Sequence, residues 1–190
     1  MTAAPVRRRV AVLGCGGAAL GIHLPALATH PDWQVVAVAD RDHERAQHAA
    51  ARFGVGRVAR DTASLFEGAD LLAVLTGVHE PWIEQALAAG MHVFTEKPVS
   101  LDVERTRRLR RQAAQAGVLL EVGVIRAFDP AVEALLRQVP AAGLRGGWLV
   151  KADGCDATAR QAFLPPGAAP YTFADDPPQQ APAGLNPAGR

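Results

Sequence analysis

Short apolar runs alternate with amphipathic stretches along most of the chain, and the alternation predicts its architecture. The runs at residues 9–13, 33–39, 57–59, 71–75, 92–95 and 119–124 read as strands. Several are continuous rather than alternating, the pattern of strands covered on both faces. Helical periodicity fills the intervals at 18–29, 41–53, 62–67, 80–89 and 102–116, and a further helix is expected at 130–138. Gly54, Gly90 and Gly117 stand where three of these helices should stop. Six strands joined by helical crossovers predict an α/β fold with a right-handed, doubly wound parallel sheet. Residues 1–139 are expected to form that domain.

The pattern then breaks. Residues 140–147 carry turn signals, 148–152 read as a single strand, and half of the 14 prolines fall within 163–190. Proline removes hydrogen-bond donors and fixes φ, so this stretch is expected to be loop or disorder. Residues 140–190 therefore read as only the start of a second, α+β domain.

Composition narrows the function classes. An apolar share of 49% suffices for a buried core, and a formal charge of +1 gives no electrostatic case for nucleic acid or a membrane surface. Arg105, Arg107, Arg108, Arg110 and Arg111 fall on one expected helix beside Asp102 and Glu104. A solvated helix face is expected there, with Glu104 able to pair with Arg108 one turn on. No apolar run approaches the ~20 residues of a membrane span. The basic start, Arg7-Arg8-Arg9, leads straight into the first strand with no signal core between. Cys15 and Cys155 have no metal-ligand spacing, so no metal site is expected. A disulfide at Cys15 would obstruct a glycine turn, which points to reducing cytoplasm.

That turn carries the first chemistry. Gly14-Cys15-Gly16-Gly17-Ala18-Ala19 follows a β-branched strand and opens a helix, and Asp40 ends the next strand. Gly14 allows a tight turn, Gly16 lacks a Cβ that would block a pyrophosphate, and Ala19 replaces a third glycine with another small residue. The helix N-terminus turns unpaired N–H groups toward phosphate. Asp40 is spaced to accept hydrogen bonds from an adenosine ribose, so a dinucleotide is the expected cofactor. Its carboxylate favours NAD(H) over NADP(H), while Arg41 beside it keeps NADP(H) open.

A second group follows the fifth expected strand, where Glu96-Lys97-Pro98 would face the nicotinamide end of a cleft. Ligands in such sheets sit outside the carboxyl ends of strands. There a lysine can hydrogen-bond a substrate hydroxyl and help move its proton as hydride leaves the same carbon. Glu96 would hold the ammonium or contact the cofactor. A surface ion pair is the plainer reading of the same residues.

With these residues in view, the chain resembles the glucose–fructose oxidoreductase, inositol dehydrogenase and rhizopine-catabolism (Gfo/Idh/MocA) family. The resemblance is carried by the glycine turn with His23-Leu24-Pro25-Ala26-Leu27, by Ala37-Val38-Ala39-Asp40-Arg41, by the stretch from Ala86 to Pro98, and by Arg126-Ala127-Phe128-Asp129-Pro130-Ala131. It covers about residues 8 to 153. It implies a Rossmann domain and NAD(P)-dependent oxidation or reduction of a sugar, cyclitol or other polyol. It also implies that Lys97 is catalytic and that Asp40 and Arg41 meet the ribose. The cofactor-side set it suggests is Gly14, Cys15, Gly16, Gly17, Ala18, Asp40, Arg41, Thr76, His79, Glu96, Lys97 and Arg126. It raises the expectation of a cis peptide bond at Lys97-Pro98, a tight-turn position where such bonds occur. Self-association as a homo-oligomer is compatible with it.

The departures are specific. The loop Thr76-Gly77-Val78-His79 is one residue shorter than the family's, so His79 is read either as a cofactor contact or as an exposed helix-capping residue. Ala127 replaces a second arginine, leaving Arg126 free to pair with Asp129 or a domain surface. His23 reads as a first-turn helix residue rather than a ligand. His92 is the last histidine, and the family's second-domain Asp and His signature is not found. The isolated chain is therefore expected to hold an incomplete oxidoreductase site. A non-catalytic dinucleotide-binding or regulatory module is the alternative.

Overall fold

The first apolar run becomes an interior strand of the sheet. The computed structural model describes residues 7–139, so every expectation for 140–190 lies outside the described residues. Strand β1 (Arg8–Leu13) lies between β2 (Trp33–Ala39) and β3 (Leu71–Val74), and β4 (His92–Thr95) and β5 (Leu120–Val122) follow outward in the order β2-β1-β3-β4-β5. Every pairing is parallel. This is the doubly wound Rossmann arrangement.

The sheet has five strands, not six. At residues 57–59 only Val58 forms a bridge, to Val38, through hydrogen bonds from Val38 to Arg57 and from Ala59 to Val38. The Arg57 guanidinium turns instead to Glu67. The run is too short to extend a ladder beyond that one bridge. The last strand is also trimmed, because the Leu119 N–H bonds His92 Nδ1 rather than a sheet carbonyl.

Helices form where the periodicity predicts, several of them opened by side-chain caps. Helix α2 (His43–Phe53) starts at Asp42, which accepts from the amides of Glu44 and Arg45. The short α3 (Thr62–Phe66) opens with a reciprocal capping box between Asp61 and Ser64. Helix α4 (Glu80–Ala88) carries proline in its first turn, and α5 (Val103–Ala116) is capped by Asp102. Each such cap contributes about 1 kcal/mol. Gly54 and Gly117 end α2 and α5 in left-handed backbone, as expected. The first expected helix is divided: a π-helical turn, Ala19–His23, precedes α1 (Leu24–Thr29). A 3₁₀ turn (Ile125–Phe128) and α6 (Pro130–Gln138) complete the described chain.

Strand alternation divides the core between the two faces. Leu13, Leu72, Val74 and Val93 pack with Leu65, Trp82, Ile83 and Leu109 of α3, α4 and α5. Val10, Val12 and Val38 pack on the other face with Leu20, Leu24, Ala46 and Ala49. Each fully buried Leu or Ile contributes roughly 1.5–3 kcal/mol of transfer free energy. Right-handed crossovers leading toward β2 and toward β5 must use opposite faces. On the second face, Leu27 and Trp33 with Leu71, Ala73, Phe94 and Leu119 consequently line a groove of about 400 Å³.

On the surface of α5, Glu104 pairs with Arg107, while Arg108 reaches Glu84 of α4. The expected Glu104–Arg108 pair gives way because a helix-to-helix partner is in reach.

Candidate cofactor and catalytic site

The carboxyl ends of β1, β2, β3 and β4 converge at one edge, as parallel pairing requires. Gly14 leaves β1 with its amide bonded to the Ala39 carbonyl at 2.8 Å. Its φ is +96°, and an added Cβ would lie 2.8 Å from the carbonyl carbon and oxygen of Leu75. Glycine is therefore required both by backbone conformation and by contact with the end of β3.

Gly16 and Gly17 behave differently. A Cβ on either would meet nothing within 4 Å. The space outside this helix start is open, a cradle into which a pyrophosphate can come close to backbone amides. These residues fit a dinucleotide. Ala18 occupies the first turn, and Cys15 is fully buried beneath the loop. Burial pushes the Cys15 thiol far up, and the Asp40 charge adds to the effect.

Asp40 joins the two strand ends. Its Oδ2 accepts the Cys15 amide at 2.7 Å, and its Oδ1 accepts the Asp42 amide at 2.9 Å. The carboxylate is thus held in place by two backbone amides. Arg41 is exposed beside it.

The remaining candidates separate. The Thr76 hydroxyl donates to the Val78 carbonyl at 2.7 Å, closing its own loop. His79 occupies the N-cap position of α4 but makes no side-chain capping bond. It is 5% exposed, and Nδ1 lies 2.7 Å from the Pro98 carbonyl oxygen. Of the two readings of His79, the exposed helix cap gives way to a buried brace between the loops after β3 and β4. Lys97-Pro98 is cis, and Lys97 is exposed just beyond β4.

Glu96 does not hold the Lys97 ammonium. Its Oε1 meets His23 Nε2 at 2.9 Å, and its Oε2 accepts the Lys97 backbone amide at 3.2 Å. The imidazole also packs edge-on against Phe94, with ring centroids 5.3 Å apart. Sequence alone misses this partnership, because His23 and Glu96 lie far apart in the chain. Arg126 stands apart on the 3₁₀ turn, paired with Asp129 at 3.3 Å.

Comparison with known proteins agrees with this geometry. Residues 8–124 match the family model GFO_IDH_MocA, described as an oxidoreductase family with an NAD-binding Rossmann fold. The chain is 40% identical over 116 residues to a dTDP-3,4-didehydro-2,6-dideoxy-alpha-D-glucose 3-reductase of Streptomyces violaceoruber, covering 59% of this chain and 34% of that protein. It is 32% identical over 139 residues to a scyllo-inositol 2-dehydrogenase (NAD(+)) of Bacillus subtilis, covering 70% and 40%. Its fold is similar to KijD10, a 3-ketoreductase of Actinomadura kijaniata solved with NADP, at TM-score 0.63, 34% identity and coverage of 70% and 43%. The chain thus spans less than half the length of these relatives. A glycine turn fitted to a pyrophosphate, an acid at the second strand tip and a family match across the whole sheet lead to one conclusion: the chain belongs to the Gfo/Idh/MocA oxidoreductase family, through its NAD-binding Rossmann domain.

Proposed function

We propose that this chain serves hydride transfer between a nicotinamide dinucleotide and a sugar or cyclitol, interconverting a hydroxyl and a ketone. Similarity to a deoxysugar 3-reductase and to an inositol dehydrogenase supports that substrate class. The single observation that carries the chemical assignment is the exposed Lys97 at the end of β4, on the same sheet edge as the glycine turn and Asp40. When bound, the nicotinamide supplies or takes the hydride. Lys97 hydrogen-bonds the reacting oxygen and holds or moves its proton. Gly16, Gly17 and the helix start receive the pyrophosphate, and Asp40 accepts from the ribose, favouring NAD(H). Ala18, Arg41 and Thr76 border that pocket, and Cys15 serves it through its backbone amide on Asp40. His79 braces the Lys97-Pro98 turn through the Pro98 carbonyl, and Arg126, paired with Asp129, is the outlying member of the cofactor-side set. Residues 1–139 serve as the cofactor domain, and 140–190 are assigned to the substrate domain.

The test is NADH formation with inositols and aldoses, together with NADH binding, in the wild type and Lys97→Ala. Positioned acid–base groups contribute roughly 10²–10⁴-fold, so the variant should lose that much turnover while retaining cofactor binding. Equal turnover in the two proteins would overturn the role of Lys97. Cofactor binding without turnover on any polyol would favour a dinucleotide-binding module instead.

A further inference from the structure

Glu96 and Lys97 are neighbours of opposite charge, and in an unconstrained loop they would pair. The fold prevents it. His23 Nε2 takes Glu96 Oε1 at 2.9 Å, with both side chains less than one-fifth exposed, at 16% and 19%. The Lys97 amide takes Oε2 at 3.2 Å. On the β5 side, a Cβ on Gly123 would lie 3.3 Å from Glu96 Oε1 and 3.0 Å from the Phe94 ring. Glycine at 123 is what lets Glu96 and Phe94 lie this close to the chain after β5. Among the described residues the Lys97 ammonium has no ion pair, and its side chain is exposed.

His23 reaches this position because of a local irregularity. The helix that starts at the glycine turn widens to a π turn at Ala19–His23, with the Leu24 amide bonded to the Ala19 carbonyl. Leu24 then faces the core at 0% exposure while His23 projects toward the end of β4. Single π turns occur frequently at functional sites.

We propose that His23 is a positioning residue: by occupying Glu96 it holds that carboxylate off the Lys97 ammonium and leaves the lysine free for substrate. The proposal rests on the catalytic reading of Lys97 given above. It assigns a purpose to the π turn, which ties the helix start at the cofactor cradle to the lysine loop. Removing the imidazole releases a carboxylate one residue from the ammonium. A carboxylate that close favours the charged amine, and a charged amine is not nucleophilic.

The experiment measures acylation of Lys97 in the full chain by limiting acetic anhydride, quantified by peptide mass spectrometry with Lys151 as internal reference. In His23→Leu, Lys97 labelling should slow about 3- to 10-fold, the effect of up to one unit in amine pKa. The double variant His23→Leu/Glu96→Gln should return to within about 2-fold of wild type, because the released group no longer carries charge. His23→Gln, which keeps a donor at similar reach, should label like the wild type. Unchanged labelling in folded His23→Leu would overturn the proposal. So would slow labelling that Glu96→Gln fails to rescue. If His23→Leu does not fold, Glu96→Gln alone decides. Faster labelling in that variant would mean that the carboxylate already engages the ammonium, and would overturn the proposal; unchanged labelling supports it. Undiminished turnover in Lys97→Ala would remove the catalytic reading while leaving the labelling result to stand on its own.

Discussion

The backbone amide of Cys15 donates to Asp40 Oδ2 at 2.7 Å, joining the glycine turn after β1 to the end of β2. The same carboxylate accepts the Asp42 amide through Oδ1. Asp40 therefore orders the cradle, and under the proposed function it also presents an acceptor to the ribose. Asp40→Ala should weaken NADH binding by about 10- to 100-fold, the range for one charge-assisted hydrogen bond. It should also narrow the difference between NADH and NADPH. Fluorescence titration with both cofactors measures each effect, and stronger NADPH binding by the wild type would refute the preference.

Two glycines in one turn should respond differently to substitution. Gly14→Ala places a methyl against the Leu75 carbonyl at a φ of +96°, so the thermal midpoint should fall. A side chain at Gly16 has open space around it. Gly16→Val should keep nearly the wild-type midpoint and lose NADH binding by at least about 10-fold, since the backbone can no longer approach the pyrophosphate. Thermal denaturation and titration on the same samples separate the two outcomes. A Gly16→Val protein that binds NADH normally would contradict the placement of the phosphates.

Burial pushes the Cys15 thiol up, with the Asp40 charge acting in the same direction. The thiolate is the reactive form, so Cys15 should resist iodoacetamide at pH 8 in the native protein and react on denaturation. Peptide mass spectrometry reads the labelling site. Rapid native labelling of Cys15 would contradict its burial.

Acid should expose a different pair. Burial alone would raise the Glu80 carboxyl, but hydrogen bonds from Ser100 and Arg105, with the Arg105 charge, outweigh it and hold the group below its ordinary value. A depressed carboxyl contributes stability that is present above its unfolded pKa, about 4.3. The contribution is lost as pH falls through the lower folded value. Glu80→Gln should melt a few degrees below the wild type near neutrality, and the gap should close below about pH 4. Because Arg105 is 57% exposed, salt should shrink the gap as well. A gap that persisted unchanged at low pH would assign the effect to packing.

By itself, the pattern of apolar runs and glycine stops determined the order of strands and helices, the parallel sheet and the glycine turn with its acid. Those features depend on periodicity and on residues whose backbone freedom is local, so they are legible without coordinates. Tertiary structure decided the rest. It reduced residues 57–59 to one bridge at Val58, because strand identity depends on a partner ladder rather than on apolarity. It turned His79 inward to the Pro98 carbonyl and sent Arg108 to Glu84 instead of Glu104, since spatial neighbours outcompeted those along the chain. Most of all, it gave Glu96 to His23 rather than to the adjacent Lys97. Sequence reports which charges are adjacent along the chain. Only packing of the π turn against the end of β4 determines which of them meet.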